Sequence, residues 1–395
     1  MKTNFKTLSF LFILINTALS CSTKWTTVIN RGSISYNTPK HVINIETQNN
    51  LIIVPIVING HNYRFLFDTG APFSISKKLQ DKHNFKTISK SNIIDSDNNK
   101  KQVKWVQVNT INIGNVAFLN QTAFIGDFKA NAVLKCLKID GIIGSNLIRH
   151  SNWTINQNQN TLTLLKKPNI NLLKESIAVP FKTDQQYNIF IDLNLGQAKI
   201  KNVLLDYGSN GSLSINNQIY SVLKKKHIIN KSYIEKGVNQ SGIIGTPVPM
   251  HREITYSDSL NINQLQFKNT ILKTGHTVSV GNGLLSRSQV TINWNNKHIY
   301  LSKPKHNPIK NNTIGFKLGY SINKGIYIQS VIENSNAYNQ GIRPNMKVLK
   351  INNLDFTNGN DFCEYVSQEF GNETYLQILN SNNKKIDYTI KKTYF

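Results

Sequence analysis

Two aspartates of this chain sit in surroundings that repeat. Phe65-Leu66-Phe67 runs into Asp68-Thr69-Gly70-Ala71-Pro72-Phe73-Ser74-Ile75-Ser76, and Val203-Leu204-Leu205 runs into Asp206-Tyr207-Gly208-Ser209-Asn210-Gly211-Ser212-Leu213-Ser214. Each copy reads as an apolar strand ending in an Asp on a tight turn, where the glycine two residues on has no Cβ and lets backbone amides approach the carboxylate. Two carboxylates in one cleft cannot both ionise cheaply, so one pKa rises and the pair shares a proton. The ionised member can then act as a base toward a water, while the protonated one can act as an acid. Asp before Gly is also ordinary turn chemistry, so the weight rests on the repetition. Other constellations are thin. The histidines show no ligand spacing, no serine is flanked like a nucleophile elbow, and no phosphate-binding glycine loop is present, so neither metal nor cofactor is expected.

The repeat extends past the aspartates. Asp140-Gly141-Ile142-Ile143-Gly144 leads to Thr154-Ile155-Asn156 and Leu162-Thr163-Leu164. Gly283-Leu284-Leu285-Ser286 reads as its counterpart, followed by Thr291-Ile292-Asn293 and Ile299-Tyr300-Leu301. The Asp pair is offset by 206 − 68 = 138 residues and the Thr-Ile-Asn pair by 291 − 154 = 137. Two separate motifs at nearly one offset mark an internal duplication. Short alternating strands with Asn-Gly turns dominate and long 3.6-residue periods are lacking, which predicts an all-β body. In it, Ile142, Ile143 and Gly144 of the first copy and Leu284 and Leu285 of the second should pack beneath the two Asp turns. Residues 93–108 read as a hairpin with the polar turn Asp95-Ser96-Asp97-Asn98-Asn99, and Trp105 or Val103 would face the cleft.

On these residues, Asp68-Thr69-Gly70-Ala71 with Asp140-Gly141-Ile142-Ile143-Gly144 some seventy positions later, the chain resembles the retropepsin-like aspartic proteases. Across residues 40–303 the duplication looks like the single-chain, two-lobed form. The resemblance implies one Asp per lobe, Asp68 and Asp206, activating a water against a peptide bond, with active-site loops of Thr69, Gly70 and Ala71 and of Tyr207, Gly208 and Ser209. It also implies a β-hairpin flap closing over the substrate. Ser209 stands where the family's hydroxyl residue bonds the carboxylate. Two positions depart from the pattern: Tyr207 replaces a Thr or Ser whose hydroxyl ties the two loops together, and Ser286 replaces the closing Gly. The resemblance therefore leaves two functions open, an exported endopeptidase and a weak or inactive peptide-binding descendant of one.

A linker is expected at 304–312, after which the strand Gly325-Ile326-Tyr327-Ile328-Gln329-Ser330-Val331 begins a different pattern. Ser335-Asn336-Ala337 starts a short helix stopped by Gly341, and Val348-Leu349-Lys350-Ile351-Asn352 resumes β structure. Residues 313–395 thus resemble a small α+β PDZ domain, with Asn345-Met346 in place of the usual Gly-Asp. Such domains bind a protein C-terminus as an added strand, and the resemblance puts Phe316, Leu318, Gly319 and Tyr320 at the carboxylate-binding loop.

The formal charge is +25, but the basic residues are dispersed lysines among asparagines without an Arg-rich stripe, and nucleic acid is not an expected partner. Residues 1–21 carry Lys2 and Lys6, an apolar run and a small-residue exit, the pattern of an export signal too short to span a membrane. The segment resembles a bacterial lipoprotein signal in which Cys21 is lipidated, which implies a periplasmic or outer-membrane lipoprotein. The same residues fit plain cleavage after Ser20, which would leave a soluble exported protein. Beyond Cys21 only Cys136 and Cys363 remain, in different expected domains, which argues against a disulfide. The expected organisation is signal 1–21, lobe one 22–177, lobe two 178–303, linker 304–312 and PDZ-like domain 313–395.

Overall fold

The computed structural model describes residues 25–168, 173–305, 312–358, 361–380 and 383–394. The expected export signal with Cys21, and most of the expected linker, lie outside the described residues. The protein is strand-rich, with helices of four to nine residues, as the short alternating apolar runs require. No helix among the described residues is long and apolar enough to cross a membrane.

The duplication is written into the strand pairing. In the first copy, β1 (Leu51–Ile58) pairs antiparallel with β2 (His61–Phe67), which ends at Asp68. The short β3 (Ser74–Ser76) follows the Asp turn, then the hairpin β4 (Lys86–Ile94) and β5 (Lys100–Ile113), then β6 (Val116–Gly126) and β7 (Gly141–Ile143). β7 slots parallel to β2 and antiparallel to β3, while β3 runs parallel to β6 and β6 pairs with β5. The second copy repeats every one of these pairings. Its strands are β8 (Ile189–Leu195), β9 (Ala198–Asp206), β10 (Leu213–Ile215), the hairpin β11 (Tyr233–Asn239) and β12 (Val248–Ser257), β13 (Thr270–Thr274) and β14 (Ser279–Gly281).

The copies meet in a six-stranded sheet to which both contribute. At its centre the two Thr-Ile-Asn segments pair with each other, Thr154 opposite Thr291, with their hydroxyls 2.8 Å apart. One apolar core runs through both copies, from Ile52, Phe67 and Trp153 to Leu205, Val280 and Ile292, all 0% exposed. Burial of such side chains, at about 25 cal/mol per Å² of apolar surface, is the main force holding the copies together.

Two features differ from the sequence reading. Val103 and Trp105 do not line a cleft; they pack with Val28, Ile29 and Phe124, and Trp105 Nε1 donates to Ser91 Oγ. Cys136 and Cys363, expected to be free, form a disulfide across 227 residues. The helix Ala132–Leu137 packs directly on the helix Phe362–Val366, a contact with no local signature in the sequence.

The C-terminal residues build a sheet of β15 (Phe316–Ser321), β16 (Gly325–Ile332), β17 (Lys347–Ile351), β18 (Glu373–Leu379) and β19 (Lys385–Lys391) around Leu318, Ile328, Ile351 and Leu376. Ser335 caps the short helix Asn336–Asn339. This sheet continues that of the second copy, because β16 pairs with β11, Gly237 opposite Ser330. Glu235 is buried at the join and accepts from Ser330 Oγ at 2.6 Å, Arg252 Nε at 2.7 Å and Lys317 Nζ at 3.0 Å. Burial pushes its carboxyl upward, but Lys317, Arg252 and Lys273 hold it well below the usual range.

Candidate active site

Asp68 and Asp206 end the parallel-flanked strands β2 and β9 and face each other across the pseudo-symmetric contact. Their turns interlock. A Cβ on Gly208 would overlap Asp68, 2.3 Å from Oδ2 and 2.4 Å from Cγ, while one on Gly70 would make a tight contact of 3.0 Å with Asp206 Oδ1. Gly70 N–H donates to Asp68 Oδ1 at 2.7 Å, and Gly208 N–H donates to Asp206 Oδ1 at 3.0 Å.

Burial dominates the electrostatics. Asp68 is 9% exposed, and desolvation raises its pKa to about 6 against the opposing amides of Gly70, Ala71 and Gly208. For Asp206 burial comes first and the charge of Asp68 second; together they raise it to about 8, against donors from Gly208 and Ser209. Such a pair holds one proton between two carboxylates over the interval between those values. The Ser209 hydroxyl does not serve the carboxylate, as expected of it, but accepts from Gly211 N–H at 3.2 Å; the Ser209 backbone amide takes that place.

Thr69 ties the loops from one side only. Its hydroxyl donates to Leu205 O and accepts from Tyr207 N–H, the latter at 3.1 Å. Tyr207 makes no reciprocal hydroxyl contact. It is fully buried with its ring edge-on to Phe67, centroids 5.5 Å apart, and its phenol oxygen has no partner among the described residues. Burial pushes that phenol far above its ordinary pKa, so it stays neutral.

The loop supports require a correction of register. β14, not Leu284-Leu285, lies parallel to the strand of Asp206, with Val280 opposite Leu205 and Gly281 opposite Asp206. Gly281 is therefore the counterpart of Gly144 (281 − 144 = 137), and no glycine has been lost to Ser286. Both glycines press on the Asp turns: a Cβ on Gly144 would meet Pro72 C at 2.1 Å, and one on Gly281 would meet Ser209 O at 2.7 Å. Leu284 and Leu285 fall in the helix Asn282–Leu285, which matches the helix Ser145–Ile148. From the starts of these helices Ser145 N–H donates to Ala71 O and Asn282 N–H to Ser209 O, and Asn282 Nδ2 adds a bond to Tyr207 O. Ile142 and Ile143 lie beside β2, one in a cluster with Leu66 and the other in the main core.

Contacts not recognised in the sequence join the two hairpins, chiefly through Asp97, and tie the second tip to Asn131. The tip of β4–β5 meets the tip of β11–β12. There Asp97, 4% exposed, accepts from Ser241 N–H at 2.7 Å, Gly242 N–H at 2.9 Å, Ser241 Oγ at 2.7 Å and Asn239 Nδ2 at 2.6 Å. Asn131 Nδ2 reaches the same loop, donating to Gln240 O at 2.9 Å and Gly242 O at 3.1 Å. An Asp in a polar tip resembles any solvated turn, so only the fold exposes this role.

Of the other expected site residues, Phe316 and Leu318 are buried core positions of β15, Gly319 is buried on the same strand, and Tyr320 is half-buried against Phe362. They lie in a paired strand rather than a free loop.

With this geometry in place the comparison with known families is direct. Residues 54–147 match the aspartyl protease family, so an aspartyl-protease-family domain occupies that part of the chain. The match holds Asp68 and β7 with the following Gly144, and ends before the second copy. No curated protein matches the chain.

Proposed function

We propose that the chain is an aspartic endopeptidase of two lobes, 22–177 and 178–303, in which Asp68 and Asp206 activate a water against a peptide bond. The observation that carries this reading is the reciprocal contact of the two Asp turns, which sets buried Asp68 against half-buried Asp206 and raises the pKa of both. The ionised member of the pair takes the water's proton, while the protonated member hydrogen-bonds the scissile carbonyl and then gives its proton to the leaving amine. The joined tips of the two hairpins act as a gate over an extended substrate. The C-terminal unit, 313–395, serves as a PDZ-like module for a peptide or protein C-terminus, and Cys21 carries a lipid that anchors the exported protein in the periplasm or outer membrane.

A second reading, a peptide-binding lipoprotein without hydrolysis, draws on the one-sided Thr69 tie and the unpartnered Tyr207 hydroxyl. One experiment separates the two: cleavage of a diverse peptide library by the wild type and by Asp68→Asn across about pH 3–10. The wild type should give a bell-shaped profile with limbs near the two dyad values, about 6 and about 8. Asp68→Asn should lose ~100-fold or more, the contribution of a positioned acid–base group. If the wild type binds peptides and cuts none, the binding reading replaces the protease.

A further inference from the structure

We infer that the Cys136–Cys363 disulfide is a reducible latch. It holds the helix Ala132–Leu137 across the free edge of β15 and keeps that edge from taking up an extended peptide. The inference rests on the reading of the C-terminal unit as peptide-binding. β15 pairs with β16 on one side and with no strand on the other among the described residues. Along that other side lies the helix Phe362–Val366, where Leu318 N–H donates to the Tyr365 hydroxyl at 3.1 Å and the Phe362 and Tyr320 rings sit 6.4 Å apart. A chain adding as a strand needs such an edge amide for its own carbonyl or carboxylate.

The helix Ala132–Leu137 covers this groove. Cys136 and Ala132 pack in the apolar cluster of Phe316, Leu318 and Phe362, and Lys135 Nζ stands 5.8 Å from the centre of the Tyr320 ring. At the Tyr320 end of this groove lies a cavity of about 380 Å³, lined by Lys135, Tyr320, Ile326, Val348, Phe356 and Phe362 together with both cysteines. It can receive side chains of an incoming peptide once the helix withdraws, and it brings the disulfide within reach of a reductant. The helix starts at Asn131, whose side chain caps it and also bonds the second hairpin tip, so its displacement would loosen the gate as well.

Opening needs a dithiol. One thiolate attacks a sulfur of the bond and forms a mixed disulfide, which the second thiol resolves. Two electrons and two protons pass to Cys136 and Cys363, and the reductant leaves as a disulfide.

The test compares the oxidised protein, the same protein reduced by a dithiol, and the Cys136→Ser and Cys363→Ser variants. Each is challenged with random decapeptides bearing free C-termini and with the amidated set, the state of the bond being verified by thiol mass-tagging. Reduced protein and both variants should retain about tenfold more free-carboxylate peptide than oxidised protein, within the usual span of site-to-site coupling. Reoxidation of the unmodified chain should reverse the gain, an arm independent of whether either variant folds. Equal binding with the bond present and absent overturns the latch and keeps the groove. Binding in neither state overturns groove and latch together and leaves the cleft to its own cleavage assay.

Discussion

Replacing Asp206 with Asn tests whether the two carboxylates are held together against their own repulsion. Burial, and then the charge of Asp68, raise Asp206 from 3.8 to about 8. A carboxyl raised in the folded state binds its proton more tightly there than in the unfolded chain. Its favourable contribution is complete below about pH 4 and is lost as pH climbs through the folded value. One pH unit corresponds to about 1.4 kcal/mol, so the loss above pH 8 has a ceiling of about 6 kcal/mol. Asp206 is partly open to solvent and shares its proton with Asp68, and about 2–3 kcal/mol survives that discount. Asparagine keeps the shape and can still accept the Gly208 N–H, but it carries no charge. Calorimetric scans of both proteins should therefore coincide within a degree at pH 4. At pH 8 the transition of Asp206→Asn should lie above wild type by about 5 °C or more. A difference that is the same at both pH values, or a wild type that melts higher at pH 8, would refute the buried pair.

The remaining predictions concern the parts that hold the pair. Gly208→Ala puts a Cβ 2.3 Å from Asp68 Oδ2 and should lower cleavage by ~100-fold. Gly211→Ala, whose Cβ would meet only Ser209 Oγ at 3.5 Å, should cleave like wild type. Asp97→Ala removes a carboxylate bonded to the facing tip. Hydrogen exchange at Ser241 and Gly242 should rise by about tenfold or more, with KM increasing more than kcat falls. Tyr207→Phe deletes a buried hydroxyl that lacks a partner and should raise Tm by about 2 °C or more with cleavage unchanged; loss of cleavage would mean that the hydroxyl is used.

What the sequence made legible was whatever repeats or alternates. The Asp turns, the offset of the Thr-Ile-Asn segments and the strand-rich character all rest on local patterns, and the two Thr-Ile-Asn segments are also partners, Thr154 opposite Thr291. Register beneath the second turn was not legible. Gly283-Leu284-Leu285 imitates the Gly141-Ile142-Ile143 strand of the first copy, and what selects Gly281 is a backbone oxygen 2.7 Å from where its Cβ would be. The disulfide and the Asp97 contact join residues far apart in the chain and leave no mark on their neighbours.

Tyr207 is the instructive case. Read as a lost hydroxyl it suggests erosion of the second copy, but the joint it would have served is already made from the other side. Thr69 both donates to Leu205 O and accepts from Tyr207 N–H, so the second strand is fixed through its backbone, which any residue at 207 supplies. The side chain is then released for packing, and the ring fills the space between the loop and Phe67. An asymmetric tie can thus hold a symmetric pair of carboxylates. What bears on catalysis is not the residue type at 207 but whether Asp68 and Asp206 share a proton, and that is the quantity the pH-dependent melting of Asp206→Asn measures.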